Sequence, residues 1–410
     1  MKTNKILLLG TYIEGHYIEA LNIFINAMVA NGAVFLSYFD LYLEHGHSGT
    51  ERFIEEYIDK NSIDTVLYDS APTEFTLSPL FWERLRKKCF MILWTGDTEH
   101  YLDIRDRYYA QAMDYVVSSD FSVPAKLGQL GIKSDTYFGY TDAKRLDKKN
   151  GLKKDIDVSF VGTITGKVNR PFYINHLIKN GLDVKTYGTG SNQGFITFDG
   201  KVDLYNRTKI NLNLSGVAET TRLTKHYTIQ KRMKAIKGNL FEAALCGGFV
   251  LSEYSYQLEK LFIPGKEIVI FHNEDDLLEK TRYYLTHDRE REEIAEKGYQ
   301  RAHSERGYDV KPAVEDLLVR IETLRSEKTY RPSPIYLDTE FMRNFSTYRV
   351  FLGIRLLKQG KFRFAFEELL LLLKFRKLDL YQVKIFLIEE VLDKFPKTKR
   401  LLKSIFERAK

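Results

Sequence analysis

The sequence has only two cysteines, nine prolines and no long hydrophobic run among its 410 residues. Cys89 and Cys246 lie far apart in apolar surroundings, which excludes a disulfide framework and a zinc site built on thiolates. The apolar stretch at residues 6–9 is too short for a signal peptide or a membrane span. These absences predict a cytoplasmic protein whose only membrane contact is peripheral, at the inner face of the membrane.

Positive charge is in slight excess and is unevenly distributed. Lysine and arginine number 62 and aspartate and glutamate 55, which gives a formal net charge of +7. Residues 361–410 contain 13 basic and 7 acidic side chains, a net +6, which leaves only +1 for the first 360 residues. The many tyrosines and phenylalanines are scattered rather than interleaved with arginines, so we expect no nucleic-acid partner.

Strand and helix patterns alternate twice along the chain. Apolar runs that end at glycine, such as residues 5–10 and 157–162, are followed by segments with apolar residues at helical spacing. A lysine-rich stretch without periodicity, residues 141–154, separates the two sets. This alternation predicts an α/β fold with two doubly wound, Rossmann-like domains that face a cleft. We place the first domain at residues 1–145 and the second at 146–328.

Residues 329–410 show only helical patterns and are predicted to form an all-helical appendage. The stretch 356–365 resembles the turn of a single tetratricopeptide-type hairpin, with Gly360 at the corner. A leucine-rich helix with a basic end follows. Such a helix is suited to packing on the body of the protein, on a second subunit of a homo-oligomer, on a protein partner or on an anionic membrane surface.

Two glycine-rich turns follow strands of the second domain without completing a nucleotide motif. Residues 162–167 are one residue short of a phosphate-binding P-loop. In residues 188–194, Gln193 holds the place of the third glycine of the dinucleotide fingerprint. Gly162 ends a strand where the backbone approaches another group closely, and a tight turn between strand and helix is the alternative interpretation.

Paired aspartates just before a predicted strand offer one candidate metal site. Asp155 and Asp157 have the Asp-x-Asp spacing that holds a divalent ion in one large class of sugar transferases. Their position beside the linker favours a solvated strand start instead. No other cluster of ligands appears, so we expect neither a metal nor a bound cofactor.

The densest positive charge of the second domain lies before a short predicted helix. It includes Lys231, Arg232 and Lys234, and the helix begins at Gly238 and Asn239. Free backbone N–H groups and the positive end of the helix dipole suit a diphosphate at such a helix start. The neighbouring basic side chains would complete its neutralisation.

Glu242, one turn into the same helix, is placed to accept hydrogen bonds from a ribose diol. The spacing of Asn239 and Glu242 also fits a capping box, in which both side chains only serve the helix start. The local sequence leaves both interpretations open.

Residues 239–252, with the sequence NLFEAALCGGFVLS, resemble the carboxyl domain of group-1 glycosyltransferases of the spore-maturation (CgeB-like) type. The likeness extends over most of residues 158–308 and, less specifically, to the WTGD sequence at 94–97. The resemblance implies a GT-B fold whose carboxyl domain holds a nucleotide sugar. It also implies transfer of the sugar to a glycan, protein or lipid-linked acceptor. We expect this transfer to need no metal, because basic side chains and the helix start can stabilise the leaving diphosphate.

The resemblance also assigns roles to individual residues. It places Glu242 at the nucleotide ribose and the loop of Gly238 and Asn239 at the diphosphate. Related enzymes often have a second glutamate eight residues before the first, near the donor sugar, where this chain has Lys234. A catalytically silent GT-B scaffold that binds a protein through its helical tail is therefore the alternative function. The complete set expected at the nucleotide sugar is Gly162, Thr163, Lys167, Arg170, Gly188, Lys231, Arg232, Lys234, Gly238, Asn239 and Glu242.

Two residues are candidates for catalysis. An inverting reaction needs a base that faces the cleft, and Asp97, at the end of an amino-domain strand, is the first choice. Its alternative role is that of a helix N-cap. His16 follows the first strand, where such folds bring an acceptor-side loop to the cleft, although a lone histidine is more often structural.

Overall fold

Two parallel β-sheets, each covered by helices, form the core of the protein. The computed structural model describes residues 5–11, 19–70, 75–96, 101–139, 141–167, 169–217, 234–304, 308–375 and 378–390. None of the helices within these ranges is long and apolar enough to cross a membrane.

The first sheet has six parallel strands in the order β2-β1-β3-β4-β5-β6. The strands are β1 (Ile6–Gly10), β2 (Val34–Ser37), β3 (Thr65–Asp69), β4 (Phe90–Thr95), β5 (Tyr115–Ser118) and β6 (Ser134–Thr136). The helices are α1 (Glu19–Ala30), α2 (Tyr38–Asn61), α3 (Pro79–Arg86), α4 (Arg107–Ala110), which follows a π-helical turn (Leu102–Asp106), and α5 (Ser122–Gly128). Strands β1, β3, β4 and β5 are buried along their whole length, as expected for a parallel sheet covered on both faces.

The second sheet has five parallel strands in the order β11-β10-β9-β7-β8. The strands are β7 (Ile156–Val161), β8 (Val184–Tyr187), β9 (Thr208–Asn213), β10 (Val250–Glu253) and β11 (Val269–Phe271). The helices are α6 (Asn169–Lys179), α7 (Phe198–Arg207), α8 (Gly238–Leu245), α9 (Glu274–Thr286) and α10 (Asp288–Ala302). The chain leaves β7 toward β8 on one side and returns to β9 on the other, so a crevice opens at the carboxyl ends of β7 and β9.

Helix α11 (Val310–Ser326) carries the chain back from the second sheet to the first. At the crossing, the N–H group of Val310 donates to the carbonyl oxygen of Thr141 at 2.8 Å. Val314 and Ile321 are buried in one cluster with Leu8 of β1. A helix that the sequence-based division assigns to the second domain therefore completes the core of the first sheet.

The carboxyl-terminal helices are α12 (Thr339–Lys358), α13 (Phe362–Phe375) and α14 (Leu380–Glu390), and they join the same domain. Helix α13 contacts α2 and α12, and α14 contacts α12. Phe341 and Phe345 of α12 share a hydrophobic cluster with Tyr38 and Trp82. Helices α12 and α13 meet at Gly360, which has a left-handed φ of 71°. The predicted helices are present, but α12 is part of the first domain's core rather than an appendage to it.

Candidate functional site

A pocket of about 180 Å³ opens where β7 and β8 end, beside the crevice of the second sheet. The backbone of both strand ends, the rings of Phe195 and Phe198 and the ammonium group of Lys201 line it. Its lining residues are Val161, Gly162, Thr163, Gly188, Thr189, Phe195, Ile196, Thr197, Phe198 and Lys201. The structure thus brings three of the predicted residues, Gly162, Thr163 and Gly188, into one pocket.

The two glycines allow the two strand ends to touch. Gly162 has a φ of 146° and Gly188 a φ of 118°, a region that side chains rarely permit. A Cβ atom on Gly188 would lie 2.5 Å from the carbonyl oxygen of Gly162. The N–H group of Gly162 donates to the carbonyl oxygen of Tyr187 at 2.8 Å. Glycine at both positions therefore shapes this wall of the pocket.

Arg170, near the start of α6, ties the end of β7 to the end of β9. Its Nη1 donates to the carbonyl oxygen of Thr163 at 2.6 Å, and its Nη2 donates to that of Leu214 at 3.2 Å. The side chain is almost fully buried. These contacts give Arg170 a positioning role behind the pocket, whereas Lys167 is half-buried in the same turn and is absent from the pocket lining.

Glu242, in α8, faces α7 at the edge of the pocket. Its Oε1 lies 2.7 Å from Nζ of Lys201, and the hydroxyl of Tyr205 donates to its Oε2 at 3.0 Å. Burial and the neighbouring Glu242 carboxylate raise the pKa of Tyr205 well above its ordinary value, so this hydroxyl remains a donor. Since Lys201 also lines the pocket, Glu242 is linked directly to the pocket wall.

The start of α8 lies beside the same strand end. Lys237 is the N-cap residue and makes no side-chain cap hydrogen bond. Asn239 donates from Nδ2 to the carbonyl oxygen of Val161 at 3.2 Å, which fixes the helix start beside the end of β7. Because Glu242 binds Lys201 instead of the helix start, the capping-box interpretation is wrong.

Lys234 lies at the carboxyl edge of β9 and β10. Its Nζ is 3.0 Å from Oε1 of Glu253, a fully buried side chain that ends β10. The Oε2 atom of Glu253 accepts from the N–H groups of Ser215 at 3.0 Å and Gly216 at 3.2 Å. Lys234 therefore contacts a carboxylate that organises the turn after β9.

Four predicted site residues, Lys231, Arg232, His16 and Asp97, lie outside the described residues. Their roles at the diphosphate and in catalysis remain predictions.

The paired aspartates lie at the amino end of β7, at the edge of the sheet opposite the pocket. Asp155 binds Arg207 through both carboxylate oxygens, at 2.9 and 2.6 Å, and Asp157 binds Lys209 at 2.6 Å. These ion pairs agree with the solvated strand start. Within the described residues, no group of three or more His, Cys, Asp or Glu side chains is placed to hold a metal ion.

Sequence reasoning missed helix α7 and the pocket residues that it carries. Lys201 and Tyr205 lie on this helix, and Phe198 is its first residue. A signal was present, because Thr197 has the character of an N-cap, and its side chain accepts from the N–H group of Gly200 at 3.1 Å. The polar, glycine-containing sequence before β9 hid the helical spacing.

Comparison with known proteins identifies the class of domain that carries this pocket. Residues 170–318 match the model of a family described as glycosyl transferase-like. The matched region begins at Arg170 and includes Lys201, Lys234 and Glu242. A glycosyltransferase-like domain is thereby confirmed, and the finer assignment to the spore-maturation type remains a prediction.

Solved structures share the arrangement of the two sheets. A structure of HepE from Anabaena in complex with UDP has 10% sequence identity and a TM-score of 0.57 over 78% of this chain and 100% of that chain. Sucrose-phosphate synthase from Thermosynechococcus elongatus has 10% identity and a TM-score of 0.58 over 79% and 100%. A glycosyltransferase from Rickettsia africae has 10% identity and a TM-score of 0.56 over 80% and 100%. The GT-B fold is confirmed, whereas comparison with curated protein sequences gives no significant match.

Proposed function

We propose that this protein transfers a sugar from a nucleoside-diphosphate donor to a glycan, protein or lipid-linked acceptor. The observation that carries the proposal is the pocket at the ends of β7 and β8, which lies largely within the glycosyl transferase-like region and joins Lys201, Glu242 and the start of α8. HepE has been solved with UDP and with UDP-glucose, so these two compounds are the first donors to test.

The shape and chemistry of the pocket suit a nucleoside. Phe195 and Phe198 supply apolar surface for a base, and the backbone at Gly162 and Gly188 can approach a flat ligand closely. The Glu242 carboxylate accepts one hydrogen bond at each oxygen within the protein. A carboxylate has about four acceptor sites, so Glu242 retains capacity for the two hydroxyls of a ribose.

The diphosphate would lie at the start of α8. This helix end has no side-chain cap among its described contacts, so its N–H groups and dipole favour an anion. Negative charge grows on the diphosphate as the bond to the sugar breaks, and fixed donors stabilise that charge in the transition state. Lys201, together with Lys231 and Arg232, would supply the countercharge that a divalent ion supplies in other sugar transferases.

The acceptor would bind from the side of the first sheet, where Asp97 follows β4 in the sequence. For an inverting reaction, we assign Asp97 as the base that takes the proton of the acceptor hydroxyl. His16 is the second candidate for contact with the acceptor.

One observation favours the alternative of a catalytically silent scaffold. Lys234 stands where related enzymes often have a glutamate near the donor sugar, and it is paired with the buried Glu253. An assay of donor hydrolysis and sugar transfer distinguishes the two functions, because a silent scaffold binds the donor without turnover.

Calorimetric titration with UDP and UDP-glucose, and then with other nucleoside diphosphates, tests the proposal. We expect Glu242→Gln to weaken the preferred nucleotide by about tenfold, since the variant loses a charge-assisted acceptor. Glu259→Gln, an exposed acidic residue of the same domain, should have no effect. Absence of binding to every nucleotide would refute the proposal, as would a Glu242→Gln protein that is less stable but binds the nucleotide as tightly as the wild type.

A further inference from the structure

Helix α13 presents a continuous apolar stripe to solvent. Phe362, Phe366, Leu369, Leu370 and Leu373 are all between 50 and 71% exposed. Their spacing of four, three, one and three residues places them on one face of the helix. Single exposed apolar residues are common on protein surfaces, but a contiguous stripe of five large ones marks an interaction surface.

The opposite face of α13 is fixed to the protein. Ala365 and Glu368 are fully buried, and Glu368 lies 3.2 Å from Arg349 and accepts a hydrogen bond from the Tyr42 hydroxyl. Phe364 packs at the kink of α2, where a Cβ atom on Gly46 would lie 2.6 Å from its ring. The helix therefore cannot turn its apolar stripe inward without breaking a buried ion pair.

Acidic side chains of this region are turned toward the protein. Glu367 accepts from the N–H group of Ser48 at 3.0 Å, and Asp379 accepts from the N–H groups at the start of α14. Glu390 is paired with Arg355 at 3.0 Å and with Lys358 at 2.8 Å. Glu368 and Glu390 are thus paired with cations, and Glu367 and Asp379 are held by backbone N–H groups.

Basic residues flank the stripe in the sequence. Arg363 is exposed beside Phe362, and Lys374, Arg376 and Lys377 follow Leu373 in the sequence. Residues 391–410, outside the described part of the chain, add seven basic and two acidic residues. An apolar face bordered by lysine and arginine is the pattern of a helix that lies in the interface of an anionic membrane.

We propose that α13 binds the surface of an anionic lipid bilayer through this stripe. The helix has 14 residues, fewer than the roughly 20 needed to span a bilayer, so it lies along the interface. The apolar side chains enter the boundary between headgroups and acyl chains, while the basic side chains contact the lipid phosphates. A protein groove would satisfy the apolar stripe, but the charge around it matches an anionic surface.

Flotation of the full chain with lipid vesicles tests this proposal. We expect binding to phosphatidylcholine vesicles that contain phosphatidylglycerol, weaker binding to pure phosphatidylcholine, and a decrease with added salt. The double variant Phe366→Ser, Leu373→Ser should lower the affinity for anionic vesicles by about tenfold or more. Arg363→Glu should lower binding to anionic vesicles only.

Control variants separate this result from misfolding and from the nucleotide site. Val319→Ser removes an equally exposed apolar side chain of α11 and should leave vesicle binding unchanged. Calorimetry with UDP should be identical for all these proteins, because α13 packs on α2 and α12 of the first domain and the pocket lies in the second. A failure to bind UDP or any other nucleoside diphosphate would refute the proposed function and leave the vesicle result intact.

Two kinds of result would overturn the membrane proposal. One is a wild-type protein that does not bind anionic vesicles, or a double variant that binds them equally well. The other is a dimer that the double variant converts to a monomer, without vesicle binding by either protein. That second result would identify the stripe as a contact between two copies of the chain.

Discussion

Lys234 lies 3.0 Å from the carboxylate of Glu253, a side chain without exposed surface. Lys234 is on the loop before α8, and Glu253 is the last residue of strand β10. Because Glu253 also accepts hydrogen bonds from Ser215 and Gly216, the pair joins that loop to the turn after β9. The residue that replaces the expected glutamate is therefore part of the structural support of the crevice.

Removal of this countercharge should destabilise the protein. Lys234→Met leaves the Glu253 carboxylate buried and without its cation, and we expect the free energy of unfolding to fall by about 3 kcal/mol. Urea unfolding measures this change. Addition of Glu253→Gln should recover part of the loss, because an amide needs no countercharge. Lys185→Met, which removes an exposed ion pair with Asp183, should cost less than about 1 kcal/mol.

Equal stability of Lys234→Met and wild type would show that the ion pair does not support the fold. A loss that the double variant does not reduce would place the effect in packing of the lysine stem rather than in charge.

The backbone contact between Gly188 and Gly162 gives a second prediction. Gly188→Ala introduces a Cβ atom against the Gly162 carbonyl and should cost about 3 kcal/mol of stability, with a loss of UDP affinity of about tenfold or more. Gly166→Ala is the matched control, because it has a φ of 73° and open space around the added methyl group. It should cost only about 1–2 kcal/mol, the strain of the left-handed conformation.

Thermal unfolding and calorimetry on both glycine variants check this prediction. Equal effects at the two positions would mean that backbone strain alone matters and that close contact of the strand ends does not.

The strand ends of the second domain were predictable because their signals are local. Apolar runs that end at Gly162 and Gly188 are visible in the sequence, and the short helix predicted to begin at Gly238 corresponds to α8 (Gly238–Leu245). The pairing of Glu242 with Lys201 was not predictable, because the two residues are 41 positions apart and no pattern links them. Sequence spacing within α8 suggested a cap instead.

The packing of the carboxyl-terminal helices was also not predictable, because its contacts join residues far apart in the sequence. Glu368 contacts Tyr42 across 326 positions, and Arg349 donates to the carbonyl oxygen of Thr76 at 2.8 Å across 273 positions. Such contacts leave no periodic signal. The contact at the bend of the 24-residue helix α2 is of the same kind, because Gly46 lies against Phe364 of α13.

Deletion of the carboxyl-terminal helices should unfold the first domain. A chain that ends at residue 328 exposes Tyr38, Phe75 and Trp82, which are buried in one cluster with Phe341 and Phe345. We expect aggregation, or a fall in the unfolding temperature of more than about 10 °C, measured by circular dichroism. If these helices were only an appendage, their removal would leave the unfolding temperature unchanged. That outcome would contradict the packing described for α12.

Stability should fall at alkaline pH through Cys89. Burial raises the pKa of this thiol from 9.0 to about 12. Between these two values the unfolded chain loses the proton and the folded chain keeps it, so the free energy of unfolding decreases as pH rises, by about 1.4 kcal/mol per pH unit. Urea unfolding from pH 8 to pH 11 measures the slope.

Cys89→Ala is the control for this slope. The variant lacks the titrating thiol, so its stability should decrease less steeply with pH than that of the wild type, although its stability at pH 8 is lower because of lost packing. Equal slopes for the two proteins would show that the Cys89 thiol ionises as readily in the folded chain as in the unfolded one.

The return of α11 and α12 to the first sheet also sets the order in which the protein can be completed during synthesis. All strands of the first sheet leave the ribosome before the second domain, yet Val314, Ile321, Phe341 and Phe345 of its core are made after the second domain. The second sheet can close as soon as its own residues emerge. The domain that is synthesised first is therefore the last to finish folding, and its apolar surface needs protection until then.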